Sequence, residues 1–259
     1  MSSGTFVPKP GAAPLTRQIA AQASMEARLM VRNGEQLLLA VVIPVLVLIG
    51  GVEGAKHVSI TGITHRPVDE FTPGVLALAV MSTAFTSLAI ATGFERRYGV
   101  IKRLGSSPLP RSGLLAGKVG ALLVVELMQV VVIGIVGLLL GWHPHGGVAG
   151  FAIAVLVLLL GTAAFASLGL FVAGVLRAEA TLAAANLIYL LLMAGGAVVL
   201  PSSAYGGAAK PLEWLPSGAL GTAMRSALIN GHLAGAHLLI LLAWAVLGTV
   251  LTVRTFQWE

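Results

Sequence analysis

Long apolar runs dominate the chain and determine the solvent in which it can fold. Residues 151–175, for example, contain no charged side chain. A helix needs roughly 20 mostly apolar residues to cross the hydrocarbon layer of a bilayer. Of the 259 residues, 57% are hydrophobic and only 10% are charged, which leaves too little polar surface for a water-soluble domain. The sequence therefore predicts an integral membrane protein.

The apolar runs predict an all-α bundle of about six transmembrane helices. The predicted spans are residues 36–52, 73–93, 119–140, 151–175, 181–200 and 236–253. Pro73 is predicted to begin the second span, because proline in a first helical turn loses no donor that the helix needs. These spans make residues 35–259 one transmembrane domain.

Two segments of the chain are predicted to lie outside the full crossings. Residues 212–229 are apolar but carry Glu213, Pro216 and Arg225, which favours a partly re-entrant segment before the last span. Residues 1–14 are rich in Ser, Gly and Pro, which predicts a mobile cytoplasmic tail.

Residues 15–34 have the pattern of an amphipathic helix that lies in the headgroup layer. The arginines of its polar face are Arg17, Arg28 and Arg32. Leu15, Ile19 and Ala23 gather on the opposite face, but Glu26 also falls there. A helix packed on a partner in water remains open as an alternative for this segment.

Basic residues are distributed unequally between the two ends of the predicted bundle. Most of the sixteen lie at one end: Lys9, Arg17, Arg28, Arg32, Arg96, Arg97, Lys102, Arg103, Arg111, Lys118, Arg177 and Arg254. The positive-inside rule therefore predicts a multi-pass protein of the cell membrane with both termini and the loop 94–118 in the cytoplasm. Nucleic acid is not expected as a partner, because the basic residues occur in short runs between apolar stretches.

The segment 113–118, Gly-Leu-Leu-Ala-Gly-Lys, superficially resembles a phosphate-binding loop. It has one residue too few between its glycines, and Val119 follows the lysine where a magnesium-binding Ser or Thr is needed. The chain has no cysteine, and His143 and His145 are predicted to be solvated turn residues. We therefore predict no catalytic residue, no cofactor-binding residue and no metal site.

Glu126 and Gln129 lie three residues apart inside the third predicted span, and hence on one face of a helix. An ionisable side chain at that depth is costly and points to a substrate pathway or a specific partner. Three interpretations stay open: the residues line the pathway, they form a structural hydrogen bond between helices, or Glu126 is a neutral, protonated carboxyl.

The loop 94–118 carries the most distinctive pattern of the chain. Its characteristic residues are Glu95, Gly99, Arg103, Leu104, Pro108, Arg111, Gly117 and Lys118. This pattern resembles the cytoplasmic loop of type-2 ABC exporter permeases, particularly the daunorubicin-resistance-like drug permeases. The order of amphipathic entry helix, six spans and late re-entrant segment is similar too, as is the motif Leu212 to Pro216 followed by Arg225 and Gly231.

The resemblance implies that the loop is a coupling helix seated on a separate ATPase. The residues that it assigns to the ATPase-facing surface are Glu95, Arg96, Gly99, Arg103, Leu104, Pro108 and Arg111. It also implies two permease subunits, as a homodimer or a heterodimer, and two ATPase subunits. ATP and magnesium are then expected on the ATPase and not on this chain.

The function implied is export of a hydrophobic or amphipathic substrate, drug-like or lipid-like, out of the cytoplasm. The alternative is an ATP-independent secondary transporter or channel. Such a protein usually needs several intramembrane acids or broken helices of its own for ion coupling, and only Glu126 qualifies in the predicted spans.

Overall fold

A computed structural model describes residues 13–34, 38–58, 62–105 and 109–255. Ten α-helices follow one another in these residues: α1 Leu15–Arg32, α2 Ile43–Gly54, α3 Pro67–Arg97, α4 Val100–Gly105, α5 Arg111–Leu139, α6 Gly147–Val175, α7 Ala178–Gly195, α8 Ala209–Glu213, α9 Pro216–Asn230 and α10 Gly235–Thr255. A π-helical turn, Leu38–Val42, leads into α2. The predicted all-α membrane bundle is confirmed.

Five of these helices, α3, α5, α6, α7 and α10, are long and apolar enough to cross a bilayer. The apolar helix over the first predicted span, Ala40–Gly54, is shorter. The prediction of six crossings therefore rests on this segment together with residues 35–37, which lie outside the described residues. Most of the predicted tail, residues 1–12, lies outside them as well.

The second span, α3, is the centre of the bundle. Of its most apolar window 89% is buried inside the protein, and α2, α5, α6, α7 and α9 surround it. The helix begins at Pro67 instead of Pro73, which lies inside it. Asp69 and Glu70 are buried in the first turn, where Asp69 accepts a hydrogen bond from the His143 amide.

The middle of α3 changes from α-helical to π-helical over Ser82–Ser87. Its hydroxyl-bearing side chains, Ser82, Thr83, Thr86 and Ser87, are all buried. Such π segments are rare and often occur at functional sites. A polar layer therefore lies inside an otherwise apolar bundle.

Two glycines of α6 let it approach its neighbours closely within this subunit. A Cβ at Gly169 would lie 2.8 Å from the carbonyl oxygen of Phe85, in the π-helical segment of α3. A Cβ at Gly161 would lie 2.6 Å from a methyl group of Leu220 on α9. Gly134, on α5, has no such neighbour among the described residues. Small residues are typical of helix packing in membranes. The two glycines of α6 thus serve packing within this subunit.

Candidate functional site

The predicted coupling loop forms a short helix at one end of the bundle. Helix α3 ends at Arg97, and Gly99 adopts a left-handed conformation with φ of 67°, which reverses the chain into α4. In α4, Ile101 is only 6% exposed and anchors the helix. Lys102 and Arg103 are exposed. The loop therefore offers a basic, accessible face beyond the ends of the spans.

The residues assigned to the ATPase-facing surface do not all share this face. Glu95 is largely buried and accepts a hydrogen bond of 2.7 Å from the Lys118 ammonium. Arg96 donates to the carbonyl oxygen of Ala173 on α6. Leu104 is half-buried. Glu95 and Arg96 therefore fasten the stem of the loop to the bundle, and the accessible surface begins at Arg97 and Tyr98.

Two further residues of that assignment cannot be placed on the surface. Arg111 is the first residue of α5, and its side chain lies outside the described part of the structure. Pro108 lies outside the described residues altogether.

Lys118 joins three helices through a buried charge cluster. Its ammonium lies 2.9 Å from a carboxylate oxygen of Glu26 on α1 and 2.7 Å from one of Glu95 on α3. The Lys118 side chain is 5% exposed, that of Glu26 10% and that of Glu95 18%. Gln22 donates a further hydrogen bond of 2.9 Å to Glu26. We call Glu26, Glu95 and Lys118 the Lys118 cluster.

The entry helix α1 packs directly against α5, and glycines permit the contact. A Cβ at Gly117 would lie 2.6 Å from the Gln22 side chain, and one at Gly120 would lie 3.2 Å from Ala23. Glu26, which lies on the side of the helix opposite its arginines, therefore reaches Lys118. Sequence reasoning missed this pairing, although a carboxylate on that side of the helix was a signal for a buried cation.

The segment that resembles a phosphate-binding loop lies within helix α5. Gly117 faces Gln22 of α1 rather than open space, and the Lys118 ammonium binds two carboxylates. The glycines and the lysine of this segment thus serve helix packing and charge pairing.

Glu126 and Gln129 are both buried in the polar layer around α3. Each is only 1% exposed. A carboxylate oxygen of Glu126 accepts a hydrogen bond of 2.7 Å from Thr162 on α6. The amide of Gln129 accepts one of 3.0 Å from Thr83 and donates to the carbonyl oxygen of Ala40. The two side chains therefore connect α5 to three other segments of the same subunit.

We expect Glu126→Gln to leave stability and transport nearly unchanged, because an amide oxygen can accept the Thr162 hydrogen bond. Glu126→Leu removes that acceptor and should lower stability by about 1 kcal/mol. Thermal melting of the purified protein and transport in vesicles measure the two effects. A loss of transport in Glu126→Gln with unchanged melting would instead support a pathway role.

A second charge cluster lies at the opposite end of the bundle, around Arg225 of α9. Its side chain is 7% exposed and donates hydrogen bonds to the carbonyl oxygens of Val198, at 2.8 Å, and Val199. The Glu70 carboxylate lies 3.6 Å from its Nε. A Cβ at Gly74 would lie 2.6 Å from the guanidinium, so only glycine fits there. We call Arg225, Glu70 and the two carbonyl groups the Arg225 cluster.

Helix α9 has clear start and stop signals. Pro216 occupies its first turn, and Gly231 ends it in a left-handed conformation with φ of 67°. Twelve of its residues, including Arg225, are buried. It is too short to be counted with the five spanning helices.

An apolar groove opens near the C-terminal ends of α2 and α7, at the same end of the bundle as the Arg225 cluster. Its volume is about 530 Å³. It is lined by Val47, Gly50, Gly51, Gly54, Ala55, Val58, Phe71, Met193, Ala194, Val199, Leu200 and Tyr205. Neither Glu126 nor Gln129 contributes to this lining.

The bundle defines a polytopic membrane protein with a helical loop at one end. The sequence model of the family described as ABC-2 type transporter matches residues 17–228. The chain therefore belongs to the ABC-2 type transporter family and is the membrane-spanning permease subunit of an ABC transporter. Permeases of this family work with ABC-type ATPase partners, which hold the ATPase site. A comparison with curated proteins finds no match.

Proposed function

We propose that this permease exports a hydrophobic or amphipathic substrate and is driven through α4 by a separate ATPase. The observation that carries the proposal is that α4 has an exposed face while the chain on both sides of it is held to the bundle. Lys102 and Arg103 are exposed on α4, while the chain on either side of α4 is fastened to the bundle by the Lys118 cluster.

The Lys118 cluster supports a mechanism for coupling. Glu95 precedes α4 and Lys118 follows it, so a force on α4 reaches both flanking spans, α3 and α5. Glu26 adds the entry helix α1 to the same connection. ATP and magnesium bound by the partner would move α4, and the joined helices would shift the population between inward-open and outward-open states.

The orientation and the assembly belong to the same proposal. The positive-inside rule puts α4 and both termini in the cytoplasm of a cell-membrane protein. Two permease subunits and two ATPases are proposed from the resemblance of the loop to type-2 exporters. The likeness to daunorubicin-resistance-like permeases stays a prediction.

The apolar groove supports the proposed substrate class. Its lining includes Phe71, Met193 and Leu200, and Tyr205 adds a phenol that donates a hydrogen bond to the Ala194 carbonyl oxygen. A wall of this composition favours an alkyl or aromatic part of a substrate over a charged one.

Reversing the accessible charges of α4 tests the proposal. We expect the double variant Lys102→Glu, Arg103→Glu to bind the ATPase more weakly, because like charges at an interface cost several kcal/mol. The ATPase activity that copurifies with the tagged permease should therefore fall by about tenfold or more. Glu95 is unsuitable for this test, since its replacement would also break the Lys118 cluster. ATP hydrolysis per permease, after purification from native membranes, is the measurement.

The matched control reverses two exposed lysines at the opposite end of the bundle, Lys56 and Lys210. This Lys56→Glu, Lys210→Glu variant should keep the copurified ATPase activity. A wild-type permease that brings no ATPase activity, or an α4 variant that brings as much as the control, would refute the proposal.

A further inference from the structure

A basic cleft lies where α3 ends and α6 passes into α7. Its volume is about 380 Å³. It is lined by Gly93, Arg96, Arg97, Leu176, Arg177, Ala178 and Glu179. Three guanidinium groups and one carboxylate therefore border one cavity, which gives it a net positive charge. Arg96 and Arg97 are the last two residues of α3, whereas Arg177 and Glu179 belong to the junction of α6 and α7.

Two of the three arginines of the cleft have partners. Arg97 pairs with Glu179, and Arg96 donates to the carbonyl oxygen of Ala173. Arg177 is exposed and makes no side-chain hydrogen bond or ion pair with the rest of the described chain. A guanidinium offers five donors in a planar fork suited to phosphate oxygens. Arg177 therefore has its full binding capacity available.

Helix α7 adds donors to the same cavity. It begins at Ala178, and its N-cap residue, Arg177, provides no side-chain hydrogen bond to the first turn. The first amides of a helix lack partners in the helix itself, and the helix dipole favours an anion there. Ala178 lines the cleft, so these donors stand beside the three arginines.

A buried hydroxyl lies behind one wall of the cleft. Gly93 lines the cavity, and a Cβ at this position would lie 3.4 Å from Oγ1 of Thr181. Thr181 is 0% exposed, and its Oγ1 has no hydrogen-bond partner within the described ranges. Thr181 is not one of the residues that line the cleft, so the donors available to a ligand there are the arginines and the first amides of α7.

We propose that this cleft binds the phosphate group of an anionic membrane phospholipid. The ligand chemistry is a phosphate anion, and the position of the cleft favours a lipid as its source. Helix α6, with 29 residues, ends at Val175, which puts the cleft at the depth of the headgroups. Val175 is 53% exposed and offers an apolar surface to an acyl chain beside the cleft.

Native mass spectrometry of the purified permease tests this with phosphatidylglycerol and phosphatidylcholine added at equal concentration. We expect wild type to retain phosphatidylglycerol preferentially and Arg177→Gln to lower that retention about tenfold, the loss expected for charge-assisted bonds to phosphate. Glu179→Gln should raise retention about threefold, because it removes the competing carboxylate and releases Arg97.

Arg254→Gln is the matched control, since Arg254 is an exposed arginine in the last turn of α10. Its lipid retention should equal that of wild type. Equal retention by wild type and Arg177→Gln would overturn the proposal. Displacement of the lipid by millimolar inorganic phosphate would overturn the lipid as the source and assign the cleft to a soluble phosphate. Loss of copurified ATPase in Arg177→Gln with unchanged lipid retention would overturn it too, in favour of a docking role.

Discussion

Arg225→Met should prevent the permease from being recovered as a folded, monodisperse protein. The substitution removes the hydrogen bonds to the carbonyl oxygens of Val198 and Val199 and leaves the Glu70 carboxylate without its arginine. Breaking a buried ion pair by removing one partner costs about 3–5 kcal/mol, which is a large share of the stability of a typical domain. Size-exclusion chromatography of detergent extracts measures the effect.

Arg225→Lys should recover only part of this stability. A lysine keeps the charge but offers one compact ammonium in place of a planar fork, so it cannot bond Val198, Val199 and Glu70 in the same geometry. Arg66→Met is the control, because Arg66 is exposed and makes one long hydrogen bond, of 3.4 Å, to His143. Monodisperse Arg225→Met with the melting temperature of wild type would show that the Arg225 cluster does not hold the fold.

Lys118→Met is expected to destabilise the opposite end of the bundle by a similar amount. It leaves the carboxylates of Glu26 and Glu95 buried near each other with no cation between them. We expect a loss of about 3–5 kcal/mol, seen as a lower melting temperature and as release of α1 to protease. Lys102→Met, on the exposed face of α4, should melt like wild type.

A triple variant separates charge from shape in the Lys118 cluster. Lys118→Met combined with Glu26→Gln and Glu95→Gln removes every charge of the cluster, so most of the lost stability should return. If the cluster transmits force from α4, ATP hydrolysis by the complex should be uncoupled from transport in this variant. A triple variant as unstable as Lys118→Met would contradict the electrostatic explanation.

Much of the loop between α3 and α5 could be predicted from the sequence, because its signals are local. Gly99, the basic run after it and the apolar spans on both sides identify a short helical loop between two crossings. Which residues of that loop are buried and which are exposed could not be predicted. The resemblance assigned Glu95 to the ATPase-facing surface, yet its side chain is largely buried beside Lys118 and Glu26, which come from distant parts of the chain.

The polar residues inside the spans were also only partly predictable from the sequence. The spacing of Glu126 and Gln129 placed both on one face of a helix, and the structure agrees with this. Their partners, Thr162 on α6 and Thr83 on α3, depend on which helices are neighbours. The π-helical segment that presents Thr83 has no recognisable signal in the sequence.

The sequence by itself determined that this protein folds in a membrane, that it is helical, and that a short basic loop separates two crossings, because apolar runs, turn residues and charge patterns act over short distances along the chain. Only the tertiary structure decided the pairing of Lys118 with Glu26 and Glu95, the partners of Arg225, and the meeting of Arg96, Arg97 and Arg177 in one cleft. Charges pair according to distance in space, and that distance is fixed only when the helices have packed.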